Sequence, residues 1–184
     1  METYISLLRG INVSGQKKIL MKDLKELYES LGFKNVQTYI QSGNVLFQYK
    51  KEPASKLSAK IEKAIEAHYG FQVHVQNLTI SEWNAVIAAN PFITKQPVVE
   101  KLYVAFLNTS PEAARLDTLN AMDMSPDKFV VKDKAIYTAY GDSYGTSKMH
   151  NNFFESKLRI MATTRNWKTT LKLKELAEAM SATK

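Results

Sequence analysis

The residues best equipped for chemistry in this chain lie in two pairs of polar breaks between apolar segments. Arg9, Asn12, Gln41, Ser42 and Asn44 fill the first pair, Arg9-Gly10-Ile11-Asn12 and Gln41-Ser42-Gly43-Asn44. One cation, three amides and a hydroxyl, framed by Gly10, Gly15 and Gly43, suit an anionic or strongly polar ligand. Glycine permits close backbone approach, and a guanidinium offers a fork of donors to carboxylate or phosphate. The plainer alternative is that the amides satisfy turn backbone groups and Arg9 pairs with a nearby acid. Ser147, Lys148, Arg165 and Asn166 belong to the second pair, the loop Gly141–Lys148 and the run Thr163-Thr164-Arg165-Asn166-Trp167. Backbone N–H groups and hydroxyls at a helix start favour an anion, and Lys148, Arg165 and Lys168 add charge. Here the alternative is a glycine-rich connection with a Ser or Thr helix cap, and Asn166 as the cap of the last helix. The loop is not a Walker motif, because its order is Gly-Thr-Ser-Lys after three intervening residues.

Catalytic constellations are thin. The chain has no cysteine, which excludes disulfides, thiolate zinc sites and a cysteine nucleophile. Its three histidines are His68, His74 and His150. His68 continues an apolar helix face, His74 alternates outward on a strand, and the two lack metal-ligand spacing. Only His150 lies near a proposed site, where general acid–base use is open to it. No serine elbow and no dinucleotide fingerprint is present. The sequence therefore names no reaction, no cofactor and no metal.

The elements that must position these residues follow from periodicity. Tyr4–Leu8 reads as a buried strand. Leu20, Leu24, Leu27 and Leu31 recur at helical spacing, stopped by Gly32. Val36–Ile40 and Val45–Tyr49 alternate around Ser42-Gly43 as a hairpin. Pro53 opens a helix carrying Leu57, Ile61 and Ile65, stopped by Gly70. Val73 and Val75 mark a fourth strand, and Thr79-Ile80-Ser81-Glu82 is a capping box opening a helix that bears Trp83. The second half follows the same order. It has a strand over Leu102–Leu107, a helix start at Ser110-Pro111-Glu112, and a hairpin around Lys132-Asp133-Lys134. A helix with Met149 and Phe153, a short strand near Met161–Thr164 and a closing helix Trp167–Met180 complete it. This order predicts an α+β chain of two tandem ferredoxin-like (βαββαβ) units with antiparallel sheets, each followed by an extra helix. The units span 1–92 and 98–184, joined by a linker over 91–98. Trp83 and Trp167 read as core anchors.

In such a topology the first two strands of a unit run parallel, so the end of the first and the turn after the second share one rim. Arg9 and Asn12 thereby meet Gln41, Ser42 and Asn44. In the second unit the loop after the third strand and the end of the fourth share the opposite rim. One combined site requires the units to pack with opposite ends adjacent; otherwise there are two sites or none.

With 184 residues and a 45% hydrophobic fraction, the chain can bury a core. A formal net charge of +7 biases it toward anionic partners, although a solvated basic surface accounts for it equally. No apolar run approaches the roughly 20 residues a membrane helix needs, so no membrane partner is expected. Absent cysteine and no signal-peptide core point to the cytoplasm.

Leu7-Leu8-Arg9-Gly10-Ile11-Asn12-Val13, Tyr39-Ile40-Gln41-Ser42-Gly43-Asn44-Val45 and Thr163-Thr164-Arg165-Asn166-Trp167 together resemble a bacterial family catalogued only as a domain of unknown function, number 1697 in its series. Tyr144-Gly145-Thr146-Ser147-Lys148 is similar to that family's segment before the penultimate helix. The resemblance implies a cytoplasmic bacterial protein with tandem ferredoxin-like units, and it implies no activity, cofactor or catalytic residue.

Three functions stay open from the sequence. The first is binding of, or action on, a small anionic and phosphate-bearing ligand. The second is a nucleic-acid module, since ferredoxin-like sheets serve RNA recognition. Here, however, the aromatic central-strand motif is only partly covered by Asn44–Tyr49. The third is a structural or oligomerisation module, and the oligomeric state is not legible.

Overall fold

The computed structural model describes residues 1–93 and 97–182; of the expected linker, residues 94–96 lie outside them. The chain is mixed α+β, with two four-stranded antiparallel sheets and six α-helices among the described residues. The first sheet contains β1 (Glu2–Leu8), β2 (Lys34–Tyr39), β3 (Asn44–Tyr49) and β4 (Val75–Thr79), in the order β2-β3-β1-β4. The helices α1 (Met21–Ser30), α2 (Ala54–Tyr69) and α3 (Ile80–Ala88) are interleaved with it. The second contains β5 (Leu102–Leu107), β6 (Lys128–Lys132), β7 (Ala135–Ala139) and β8 (Ala162–Asn166), in the order β6-β7-β5-β8. Its helices are α4 (Ala113–Asn120), α5 (Asn151–Leu158) and α6 (Trp167–Ala182).

Two compact units result: Met1–Ala85 with Lys172–Lys184, and Val86–Leu171. The division falls inside α3 and inside α6, where the boundaries expected at 92 and 98 keep both helices whole.

In the first unit, strand alternation sends Tyr4, Leu8, Val45, Phe47 and Val75 toward α1 and α2, where Leu24, Tyr28, Leu57, Ile61 and Ile65 complete a dry core. A deep polar contact within it joins the Ser6 hydroxyl to that of Tyr28 at 2.8 Å. The opposite face carries Thr3 and Gln48, and the end of α6 caps it. Ser181 Oγ donates to Thr3 Oγ1 at 2.8 Å and Gln48 Nε2 to the Met180 carbonyl at 3.2 Å. In the second unit α4 and α5 cover Ala105, Leu107, Ile136 and Ala162. On its other face the Tyr137 hydroxyl donates to the Val86 carbonyl at 2.7 Å.

Most boundaries follow the local signals, and the departures have local causes. The capping box forms: Thr79 N–H donates to Glu82 Oε2 at 2.7 Å, and Glu82 N–H to Thr79 Oγ1 at 3.2 Å. Strand β4 runs straight into it and starts at Val75, not at Val73. Helix α4 begins at Ala113 after an extended Glu112 cap, which leaves Pro111 outside it. Met149 precedes α5, whose cap is His150. Leu20, assigned by spacing to the buried row of α1, is instead its N-cap and is 68% exposed. Trp83 and Trp167 are both buried. No helix among the described residues is long and apolar enough to cross a membrane.

Burial sets an alkaline limit on this fold. Desolvation pushes the Tyr137 hydroxyl up to about 12 and those of Tyr28 and Tyr140 further up, the bond from Ser6 partly offsetting this at Tyr28. Above pH ~10 the unfolded chain loses phenolic protons that the folded chain keeps, so stability falls as pH rises. Desolvation acts oppositely on Arg165, bringing it down to about 10, which favours the folded state as pH rises. Three phenols outweigh one guanidinium. Circular dichroism melts should therefore show the midpoint falling from about pH 9.5 to about pH 11.5, with late tyrosinate absorbance appearing only as ellipticity is lost. A constant midpoint would contradict the burial argument.

Candidate functional site: two polar rims

The first rim is built by one glycine and two asparagines. Leu8 N–H donates to the Gly43 carbonyl at 2.8 Å, which seats the β2–β3 turn on the end of β1. Gly43 has φ +82°, and a Cβ there would lie 2.8 Å from Leu8 Cβ and 2.8 Å from Ile11 Cδ1. Asn12 then clamps three segments. Its Oδ1 accepts from Ile19 N–H at 2.9 Å, and its Nδ2 donates to the carbonyls of Ile19 at 2.9 Å and Gln41 at 3.0 Å. Asn44 is fully buried and donates to the Tyr39 carbonyl at 2.9 Å and to Ser42 Oγ at 3.1 Å, closing the turn from below. Arg9, half-buried, donates its N–H to the His74 carbonyl at 2.9 Å. Gln41 and Ser42 are exposed. The tertiary fold thus brings all five residues to one rim and uses Asn12 and Asn44 as backbone brackets, with Gln41 and Ser42 exposed and Arg9 half-buried beside them.

The second rim also assembles, around an acid. Asp127 Oδ1 accepts from Gly141 N–H at 2.8 Å and its Oδ2 from Ser147 Oγ at 2.6 Å, while Ser147 Oγ accepts from Met149 N–H at 2.9 Å. Asp142 Oδ2 accepts from Thr146 Oγ1 at 3.0 Å. The groups expected to cradle an anion are therefore engaged by two carboxylates of this chain. Lys148 is exposed. Asn166 caps α6, its Oδ1 accepting from Thr169 N–H at 2.7 Å. Arg165 is 8% exposed and donates to the Thr164 carbonyl at 2.9 Å; the Tyr144 side chain acts on it electrostatically. Tyr144 stacks on Tyr103 at 4.8 Å between ring centroids and meets His150 edge-on at 4.7 Å. The loop is thus organised by aromatic packing on β5 and by a carboxylate, and its link to the end of β8 is the electrostatic action of Tyr144 on Arg165.

The profile of the family described as "Protein of unknown function (DUF1697)" matches residues 1–137. The chain belongs to this family. The matched stretch contains the Arg9 and Gln41 motifs and ends before Thr163–Trp167. Among solved structures, this DUF1697 protein is similar to the conserved bacterial protein SP0830 from Streptococcus pneumoniae. The TM-score is 0.79 at 23% identity, over 97% of this chain and 99% of that one. That likeness concerns the fold. No curated protein matches the chain.

Sequence reasoning on the DUF1697 chain passed over two residues. Asp127, which organises the Gly141–Lys148 loop, lies 20 positions from Ser147 and carries no local signal. By strand alternation alone, His74 is only an outward-facing residue. Its Nδ1 lies 3.1 Å from Glu62 Oε1, which also accepts from Val75 N–H at 2.8 Å. Its carbonyl holds Arg9 in place. Continuing the register Leu8↔Val75 by one residue sets Arg9 opposite His74, a neighbour relation that strand pairing supplies and local sequence does not.

Proposed function

We propose that the Arg9 rim of the first unit binds a small anionic ligand bearing a phosphate or a similar group. Arg9 supplies the charge, and the exposed Gln41 and Ser42 add neutral donors. Asn12 and Asn44 hold the backbone that presents them. The observation that carries this reading is the Asn12 clamp, which fastens the Arg9 loop to the Gln41 turn through one hydrogen bond of 3.0 Å and to Ile19 through two of 2.9 Å. Contacts held before binding lose less ordering entropy when a ligand arrives. At the second rim Asp127 and Asp142 stand where an anion would sit, so Ser147, Lys148, Arg165 and Asn166 are the weaker half of the candidate set. No reaction is assigned.

We further read each unit as ferredoxin-like, supported by the strand orders β2-β3-β1-β4 and β6-β7-β5-β8 and by the helices between the strands. The cysteine-free chain suits a reducing cytoplasm.

Thermal-shift titration with orthophosphate and pyrophosphate tests the ligand reading. Losing a charge-assisted contact costs about 1.5–3 kcal/mol, roughly tenfold to a hundredfold in affinity. Arg9→Ala should lose that affinity while keeping its unliganded melting temperature within a few degrees. Arg9→Lys, which keeps charge without the fork, should fall between. Equal stabilisation of wild type and Arg9→Ala would remove Arg9 from the site.

A further inference from the structure

The Arg9 rim also exposes aliphatic side chains. Val13 is 57% exposed, Leu20 68% and Ile40 47%, and the large hydrophobics exposed among the described residues include no aromatic ring. Asn12 ties their segments together: it adjoins Val13, and its amide bonds Ile19 and Gln41, the neighbours of Leu20 and Ile40. Exposed aliphatics scattered singly are ordinary. These are gathered, and two of them stand where local chemistry calls for another residue type. Leu20 is the N-cap of α1 and makes no side-chain cap bond, at a position where Ser, Thr, Asp or Asn stabilises a helix. Ile40 has φ +51°, a region in which a β-branched residue is an outlier and Asn or Gly is at home. At both positions the chain carries an exposed aliphatic at the expense of its own stability.

The loop leading into α1 is basic, and the first acid after it is Asp23 in the first turn of that helix. Residues 9–22 carry Arg9, Lys17, Lys18 and Lys22 with no carboxylate, and residues 36–48 carry no charged side chain. The carboxylates bonded close by are on α1 and α2: Glu26 lies 3.9 Å from Lys22 Nζ on the exposed face of α1, Glu62 holds His74 and Val75 N–H, and Glu66 accepts from Gln72. Lys17 Nζ donates to the Gln72 carbonyl at 2.7 Å, which fixes its loop against the start of β4. A two-fold contact with a second copy sets these cations against themselves. Single-stranded RNA uses the cations but stacks on aromatic rings, not aliphatic tips. An anionic bilayer surface uses both, the aliphatics entering at the headgroup level and the cations meeting lipid phosphates.

We propose that this rim docks peripherally on an anionic phospholipid surface, inserting Val13, Leu20 and Ile40 between headgroups whose phosphates meet Arg9, Lys17, Lys18 and Lys22. The inference rests on the reading of the Arg9 rim as a phosphate site and names the lipid headgroup as the source of the phosphate. The proposal departs from the expectation of no membrane partner, because peripheral contact does not need a spanning segment.

The test uses the full chain with vesicles of phosphatidylglycerol and phosphatidylcholine at about 3:7, and phosphatidylcholine alone, in co-sedimentation. Wild type should bind the mixed vesicles and not the neutral ones. The double variant Leu20→Asn/Ile40→Asn should melt above wild type, keep its stabilisation by orthophosphate, and bind mixed vesicles at least tenfold more weakly. Equal vesicle affinity of variant and wild type overturns the proposal. So does a wild type that ignores vesicles yet is stabilised by orthophosphate, which leaves the Arg9 reading standing. A wild type that responds to neither overturns both. Retention on single-stranded RNA without vesicle binding assigns the rim to nucleic acid and likewise overturns the proposal.

Discussion

Phe47→Ala should destabilise the first unit by about 3–5 kcal/mol, the range for emptying a buried aromatic position. Phe47 is fully buried at the centre of an aromatic cluster. Its ring stacks on Phe33 at 4.3 Å and on Tyr4 at 5.4 Å, and meets Tyr28 edge-on at 5.6 Å. These rings come from β1, α1 and the turn after it, so β3 cannot lose its own ring without loosening all of them. Such contacts add about 0.5–1.5 kcal/mol per pair beyond buried area. A loss of this size is a large share of the roughly 5–15 kcal/mol that holds a domain folded. With an m-value of about 2 kcal/mol/M, the urea midpoint should fall by about 2 M. Phe47→Leu, which keeps most of the volume, should lose less than half as much. A shift under ~0.5 M for the alanine variant would mean that the cluster is not the core of this unit.

Gly43→Ala is the second large effect, and it reaches the candidate site directly. An L-residue at φ +82° costs about 1–2 kcal/mol. The added methyl also meets Leu8 Cβ at 2.8 Å and Ile11 Cγ1 at 3.0 Å. Overpacking of this kind costs about 1–3 kcal/mol, so the total is about 3 kcal/mol. Gly10→Ala is the internal control. Gly10 has φ +71° with open space around its Cβ position, so only the backbone term applies. Chemical denaturation should place Gly43→Ala about 2 kcal/mol below Gly10→Ala. Equal losses in the two variants would show that the turn does not pack on Leu8 and Ile11. Displacing the turn also breaks the Leu8–Gly43 and Asn12–Gln41 bonds, so Gly43→Ala should weaken phosphate binding along with stability, whereas Arg9→Ala weakens binding alone.

The contrast between Asn12 and Gln41 shows how much of the site was legible beforehand. Both are amides in a polar break, and residue type cannot tell them apart. The fold turns Asn12 inward as a clamp and leaves Gln41 exposed. Ser147 shows the same limit. Its hydroxyl and the glycine-rich stretch around it read as an anion cradle, yet Asp127 accepts its proton. Leu20 shows it for the fold: heptad-like spacing assigns it to the buried face of α1, but the helix starts one residue later and its side chain points to water.

What the sequence alone determined is local. The alternation of Val36–Tyr49 around Ser42-Gly43, the Thr79–Glu82 capping box and the Gly32 and Gly70 stops act over one to four residues, where sterics and nearest-neighbour hydrogen bonds outweigh distant contacts. Element order and antiparallel pairing follow from them, and so does the meeting of the Arg9 and Gln41 breaks at one rim. Only the tertiary structure decided which polar groups are spent on holding that rim. Those bonds join residues 29 apart for Asn12 and Gln41, and 20 apart for Ser147 and Asp127. A buried amide or hydroxyl must find a partner wherever the packed chain supplies one, and the identity of that partner is set by the approach of whole elements rather than by any neighbour in the chain.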